Sequence, residues 1–179
     1  MHAGKMAFVS DVARIYALYN FGGIYFDTDV EVVSQFEDLL NGEDAVLGTE
    51  AVGQTIGTGF MAFAPGHAIC RAMLDYYAGH SFCKQHEDLS NTIILADIIK
   101  REYSLSPENV TQKGSDVIIY PPEFFTAYNP RTGKNEKTPN TRCMHHFAAS
   151  WVKPLKKTKG FCKRMLYRMG IDVRKGRHP

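Results

Sequence analysis

The sequence lacks any apolar run of 18 residues, and its opening residues, Met1 to Met6, contain no apolar segment. The first absence excludes a membrane-spanning helix, and the second gives no indication of a secretory signal peptide. Cysteine is scarce, with four residues in 179, and no two of them form a Cys-x-x-Cys pair. Neither a zinc site nor a disulfide framework is therefore expected, and a reducing, cytoplasmic location fits.

Acidic residues are almost absent from the end of the chain. Residues 153–179 contain ten Lys or Arg and a single acid, Asp172, whereas residues 1–152 contain 11 basic and 18 acidic residues. The net charge of +2 therefore conceals an acidic body and a basic tail. We expect two units, a domain over 1–152 that is long enough for a hydrophobic core and a C-terminal tail or helix over 153–179.

The basic tail has the pattern of a helix that binds a surface. Phe161, Met165 and Met169 recur at helical spacing, and lysine and arginine occupy much of the remaining helix. We expect peripheral attachment to an anionic membrane on its inner, cytoplasmic face. One alternative is a helix that packs its apolar face on the domain. Nucleic-acid binding is disfavoured, because few aromatic residues lie among the basic ones.

Helical and strand-like spacings alternate along the acidic body, which predicts an α/β domain. Helices are expected over 5–20, 67–77 and 92–103, and strands over 24–26, 45–50, 60–63 and 117–120. Residues 53–59 are expected to form a glycine-rich connection. In the first helix, Val12, Ile15, Tyr16 and Tyr19 form one apolar stripe.

Two aspartates follow the first short apolar segment, Ile24 to Phe26, which is expected to be a buried strand. If the strand continues through them, Asp27 and Asp29 project to one face, about 6.5–7 Å apart. This spacing suits a divalent cation, Mn²⁺ or Mg²⁺, that also contacts a phosphorylated ligand. The alternative is a solvated turn after a strand, which is where loop aspartates are usually found.

The residues around this pair have a more specific pattern. The string Ser10-Asp11-x-x-Arg14, followed by Gly22-Gly23-Ile24-Tyr25-x-Asp27-x-Asp29, resembles the sugar-nucleotide-binding, DxD-containing glycosyltransferases, among them the family 32 enzymes of capsular polysaccharide synthesis. The resemblance is close over residues 5–35. It resumes more weakly at residues 57–63 and at residues 145–151, where the family has a closing motif of His followed by Ser-Trp.

The resemblance implies a GT-A-type fold and a role for each matching residue. Asp29 would bind the metal directly, and Asp27 would contact ribose and reach the metal directly or through water. Asp11 would hold hydroxyl groups of the donor sugar, and Arg14 would contact sugar or phosphate. The alternative for Asp11 and Arg14 is an i, i+3 surface ion pair worth a few tenths of a kcal/mol.

Further candidates surround these four residues. Candidates for binding the nucleotide-sugar are Ser10, Tyr25, Ser150 and Trp151, with core packing as the alternative for Tyr25. His145 or His146 would complete the metal site, and the choice between them is open. Gly57 and Gly59 would let the backbone approach a sugar, or they serve loop geometry alone. Glu50, at the end of the strand expected over 45–50, is a candidate for lining the acceptor site.

The GT-A fold begins with a strand and a helix that build half of the nucleotide pocket, whereas this sequence begins at the helix before the DxD segment. We therefore expect an N-terminally incomplete GT-A domain. The resemblance implies a metal-dependent glycosyltransferase that moves a hexose or N-acetylhexosamine from a nucleotide-diphosphate sugar to a glycan or lipid-linked acceptor, with retention of configuration. The alternatives are a truncated remnant that cannot bind donor and a hydrolase of the haloacid dehalogenase type, which also has an apolar strand before D-x-D.

Overall fold

The computed structural model of the protein describes residues 6–40, 42–50, 55–80, 90–130 and 132–147. These residues form a mixed α/β arrangement, so the predicted fold class is confirmed, in keeping with a GT-A-type domain. The predicted basic helix and the Ser150-Trp151 pair lie outside the described residues. Among the described helices, none is both long and apolar enough to cross a membrane.

The chain begins with helix α1 (Met6–Phe21), which ends at two glycines. Gly22 adopts a left-handed backbone with φ of 64°, and its N–H donates to the Leu18 carbonyl at 2.8 Å. A left-handed residue after the last turn is a common helix ending, and glycine adopts it without steric cost. A side chain at this position would also clash with Pro65, at 2.6 Å from the Cβ position. The turn therefore directs the chain straight from α1 into the first strand.

The remaining helices and strands follow in chain order. They are β1 (Gly23–Phe26), β2 (Val30–Val32), α2 (Glu37–Leu40), β3 (Ala45–Thr49), β4 (Ile56–Phe63), α3 (Ala68–Gly79), α4 (Asn91–Tyr103), β5 (Gln112–Lys113), β6 (Val117–Tyr120), α5 (Pro122–Phe125), β7 (Tyr128–Asn129), β8 (Lys134–Asn135) and β9 (Cys143–His145).

Five of these strands form the main sheet, in the order β1-β4-β3-β6-β5. Only β3 and β6 run parallel, and the other neighbours are antiparallel. The strands β2 and β9 form a separate antiparallel pair, and β7 and β8 form a third. The pair β2–β9 matters most for the site, because it brings the end of the described chain to the segment that follows β1.

The pairing of β3 with β4 is irregular near the middle of β4. Val46 pairs with Ala62, but Gly48 pairs with Gly57, so β4 has extra residues over this interval. Such bulges bend a strand and redirect its side chains, and they recur beside active sites. Here the extra residues include Thr58, whose carbonyl accepts from Arg14 of α1, and Gly59, whose carbonyl accepts from the Asp27 N–H after β1.

Apolar side chains pack on both sides of the main sheet. One core combines α1, α3 and α4 with the strands and includes Ile15, Leu18 and Leu95. The other core lies under α5 and β9 and includes Phe60 and Phe125, whose rings stack with centroids 3.9 Å apart. Of the described cysteines, Cys70 and Cys143 are buried free thiols, one in each core. This arrangement holds the sheet rigidly between two apolar layers.

Three predictions about local structure were wrong in detail. Residues 24–26 form an edge strand that is partly exposed, with Ile24 40% accessible, because β1 pairs only with β4 within the described sheet. Residues 56–59 belong to strand β4 and are buried, so this part of the predicted glycine-rich connection is not a loop. In α1 the buried seam runs through Ile15 and Leu18, whereas Tyr16 faces outward.

Candidate functional site

The two aspartates of the DxD segment lie in a turn. Strand β1 ends at Phe26, the Asp27 N–H donates to the Gly59 carbonyl at 2.8 Å, and the Val30 N–H donates to the Asp27 carbonyl at 3.0 Å. The expected extension of the strand through both aspartates is therefore wrong. The turn nevertheless directs both carboxylates to one place, because β1 is fixed by β4 on one side and β2 is fixed by β9 on the other.

A histidine from the far end of the described chain joins this pair. Val30 in β2 pairs with His145 in β9, and the imidazole Nε2 lies 3.2 Å from Asp29 Oδ1 and 3.9 Å from Asp27 Oδ2. One ligand atom from each of the three residues lies within 4.8 Å of the others. Two carboxylates and one imidazole at this separation are a donor set that can hold one divalent cation.

His145 is buried, with 8% of its surface accessible. Burial lowers the pKa of its imidazole, and the nearby Asp29 and Asp27 carboxylates act in the opposite direction. A neutral imidazole is the form that binds metals. Its Nδ1 is buried without a hydrogen-bond partner among the described residues, and its ring stacks on Phe147 with centroids 4.0 Å apart.

His146, the other predicted histidine, is directed elsewhere. Its Nε2 lies 2.9 Å from Glu31 Oε2, and both side chains are about half exposed. Its backbone N–H donates to the Asp29 carbonyl at 2.9 Å and so helps to fix the turn. His146 directly follows the last residue of β9, and neighbouring residues of extended backbone point to opposite sides.

Arg14 connects the helix to the DxD turn. Its guanidinium donates to Asp27 Oδ1 at 2.9 Å and to the Thr58 carbonyl at 3.1 Å, and it lies 3.1 Å from Asp11 Oδ1. It also covers the ring of Tyr25, 4.6 Å from the ring centroid. Only 9% of the Arg14 side chain is accessible, so the alternative of a surface ion pair is wrong.

Tyr25 and Asn91 complete this hydrogen-bond network. The Tyr25 hydroxyl donates to Asp27 Oδ1 at 2.7 Å, and burial raises the pKa of that hydroxyl, so it remains protonated. The Asn91 side-chain amide donates to Asp11 Oδ1 at 2.7 Å. Burial raises the pKa of the Asp11 carboxyl, while the adjacent Arg14 charge lowers it. Asn91 carries no motif of its own, and only the packing of α4 brings it to α1.

The two oxygens of the Asp27 carboxylate have different partners. Oδ1 accepts from Arg14 and Tyr25, and Oδ2 faces His145. Two fixed donors on one oxygen hold the carboxylate in a single orientation before any ligand binds. Ser10 is exposed on α1, and its carbonyl accepts a 3.4 Å hydrogen bond from Arg14 Nε.

Gly59 has a role that the sequence alone does not reveal. A Cβ atom at this position would lie 2.8 Å from His145 Nδ1 and 3.4 Å from Asp27 Oδ2. Contacts under 3.0 Å are not tolerated without movement of the neighbour. The absence of a side chain at Gly59 therefore makes room for the imidazole of His145. This role differs from the two expected for Gly59, which were close approach of the backbone to a sugar and loop geometry.

Comparison with known proteins finds a similarity at the site. Residues 3–46 match the glycosyltransferase sugar-binding region containing DXD motif. This match confirms the predicted family resemblance. It covers α1, β1, the DxD turn and β2. It therefore includes Asp11, Arg14, Tyr25 and Asp27 of the network, whereas Thr58 and Asn91 lie outside it. Membership of family 32 in particular stays a prediction.

Curated relatives are similar over a longer stretch. Lactosylceramide 4-alpha-galactosyltransferases from Pan troglodytes, Pongo pygmaeus and Homo sapiens are each 32% identical over 121 residues, or 65% of this chain. The aligned part is 31% of the chimpanzee and human proteins and 51% of the orangutan protein. The chain thus spans about a third to half of the relatives that it matches. No solved structure matches it.

Proposed function

We propose that this protein transfers a sugar from a nucleotide-diphosphate sugar to a glycan or lipid-linked acceptor in a metal-dependent reaction. The observation that carries the proposal is the convergence of Asp27, Asp29 and His145, whose ligand atoms lie within 4.8 Å of one another. The match over residues 3–46 supports it, because that region is the one named for sugar binding. The same match favours a transferase over a dehalogenase-type hydrolase.

The donor set fits a divalent metal and favours Mn²⁺ over Mg²⁺. Magnesium is bound mainly by oxygen, whereas manganese also accepts the nitrogen that His145 offers. The buried imidazole beside two carboxylates supports such a site, because its lowered pKa keeps Nε2 available as a ligand. When bound, the metal would neutralise charge on the departing diphosphate as a Lewis acid.

The geometry alters the role proposed for Arg14. Its contacts with Asp27, Asp11 and the Thr58 carbonyl already use much of the guanidinium. Arg14 therefore positions the Asp27 carboxylate and contributes positive charge to the diphosphate region. Asp11 uses Oδ1 for Arg14 and Asn91, so its Oδ2 is the oxygen available to hydroxyl groups of the donor sugar.

The names of the relatives suggest the substrates. They describe transfer of a galactosyl group to the lactosyl head of a lipid. The aligned part covers only 31–51% of the length of those proteins, so their substrates come to this chain as a proposal. We propose galactose as the first donor sugar to test and a galactoside on a lipid as the first acceptor. Retention of configuration would then depend on fixed positions and charge rather than on a separate nucleophile.

The proposal is tested by binding of nucleotide-diphosphate sugars with and without Mn²⁺. At a ligand concentration 100 times the Kd, binding stabilises the fold by about 2.7 kcal/mol. For a chain of this length, that corresponds to a rise in Tm of about 5–10 °C. We expect such a rise with UDP-galactose and Mn²⁺ together, and none with EDTA. A remnant would give no shift with any sugar nucleotide, and a hydrolase would form an aspartyl-phosphate.

A further inference from the structure

Glu50 lies at the end of β3, on the side of the sheet where the DxD turn is found. Its backbone N–H donates to the Thr55 carbonyl at 2.9 Å, and the Thr55 hydroxyl donates to Glu50 Oε2 at 3.1 Å. The side chain is partly buried. Among the described residues, no lysine, arginine or histidine forms an ion pair with it. A carboxylate is thus held in a fixed orientation by a neutral partner.

The glycines of β4 connect Glu50 to Asp27, Asp29 and His145, the metal-ligand group. The Cβ position of Gly57 lies 3.4 Å from Glu50 Cγ and 3.8 Å from Thr126 Cγ2, and that of Gly59 lies against His145 and Asp27. Residues two apart in a strand are about 6.5–7 Å apart. Glu50 and the metal-ligand group therefore lie beside two glycines of the same strand, and Asp27 is near enough for its charge to act on Glu50.

We propose that Glu50 is a sugar-binding residue that accepts a hydrogen bond from a hydroxyl group of the sugar held next to Asp27, Asp29 and His145. The inference rests on the proposed function. An ionised carboxylate only accepts hydrogen bonds, and sugar hydroxyls are donors that suit it. Thr55 uses one oxygen, and the second oxygen is the one assigned to the sugar.

The contrast with Glu43 argues against a purely structural role. Glu43 precedes the same strand at its other end, and its carboxylate is neutralised by Lys113. Glu50 has no such cation among the described residues, and Asp27 repels its charge. A partly buried acid without a counter-charge lowers stability, so a neutral residue at this position would give a more stable fold. A ligand that donates hydrogen bonds explains why the carboxylate is useful there.

The test compares E50Q with E43Q in the full chain. The Kd values of UDP and of UDP-galactose are measured with Mn²⁺ by calorimetry, and KM and kcat are measured for transfer to lactose. A hydrogen bond to a charged group corresponds to about a ten- to hundredfold change. We expect E50Q to bind UDP as the wild type does. Either the Kd of UDP-galactose or the KM of lactose should rise by about that factor.

The two arms distinguish the source of the hydroxyl group. A change confined to UDP-galactose places Glu50 against the donor sugar, and a change confined to lactose places it against the acceptor. If E50Q matches E43Q in both arms while UDP still binds, the role of Glu50 is wrong and the proposed function stands. If the wild type binds neither UDP nor UDP-galactose with Mn²⁺, the proposed function fails and the role of Glu50 fails with it.

Discussion

Arg14 Nη1 donates a 2.9 Å hydrogen bond to Asp27 Oδ1 and thereby joins helix α1 to the DxD turn. The same guanidinium pairs with Asp11, so two acids depend on a single buried cation. The orientation of the metal-facing carboxylate is therefore set by a helix 13 residues earlier in the chain.

Replacing Arg14 by alanine should damage both stability and binding. Asp11 and Asp27 would lose their counter-charge, and breaking a buried pair in this way costs about 3 kcal/mol. Urea unfolding measures that loss, and calorimetry with UDP and Mn²⁺ measures binding. Arg14→Lys should recover part of the stability, because it restores the charge but not the forked contact. If Arg14→Ala has the same urea midpoint of unfolding as the wild type, the buried network does not contribute to stability.

Replacing Asp29 by asparagine should abolish metal-dependent binding and leave the fold intact. The substitution removes a charge from a turn already crowded with carboxylates, so the free energy of unfolding should change by less than ~0.5 kcal/mol. Loss of residues that only support a metal ligand costs about 10–100-fold in metal affinity, and loss of a ligand should cost at least that much. Titration with Mn²⁺ measures it. Asp44→Asn, at an exposed position, is the matched control.

Introducing a side chain at Gly59 should displace His145. The new Cβ in Gly59→Ala would lie 2.8 Å from the imidazole, and overpacking of this kind costs about 1–3 kcal/mol. We expect weaker Mn²⁺ binding together with a lower Tm. Gly57→Ala is the control, because its Cβ would have its nearest neighbours at 3.4 Å. Equal Mn²⁺ affinities in the two variants would show that His145 does not bind the metal.

The stability difference between wild type and Glu50→Gln should depend on pH. Burial and the nearby Asp27 raise the pKa of Glu50 above its usual 4.5, although the Thr55 hydrogen bond opposes this. A raised carboxyl pKa gives stability that is complete below the unfolded value and is lost as pH rises through the folded value. Glutamine resembles the protonated form. Glu50→Gln should therefore equal the wild type near pH 4 and be the more stable protein at pH 7. Urea unfolding at both pH values checks this, and a constant difference would contradict it.

The basic tail, which lies outside the described residues, carries the prediction of membrane attachment. Each Lys or Arg near an anionic leaflet contributes about 1 kcal/mol. The full chain should sediment with vesicles that contain phosphatidylserine at low salt and should be released at high salt. A variant that ends at Val152 should stay in the supernatant. If both proteins sediment equally, or neither does, the tail is not the anchor.

The sequence by itself determined most of the local elements and the residues whose side chains could bind a ligand or a metal. The spacing of apolar residues gave α3 and α4 within one or two residues, and the glycines at 22 and 23 gave the end of α1. The string from Ser10 to Asp29 predicted the resemblance to DxD-containing glycosyltransferases, because its residue types and intervals are specific enough to be read without a structure. All of these features depend on neighbours within a few turns of the chain.

Only the tertiary structure decided how those residues combine. The choice of His145 over His146 follows from the register of β9 on β2, which are more than 100 residues apart in sequence. The burial of Arg14, the contribution of Asn91 and the space left at Gly59 depend on the packing of α1, α4 and β4 around one turn. Periodicity records which face of an element is apolar, but it does not record which distant element covers that face. The local pattern therefore predicted most of the participants, and long-range packing brought them together and added Asn91.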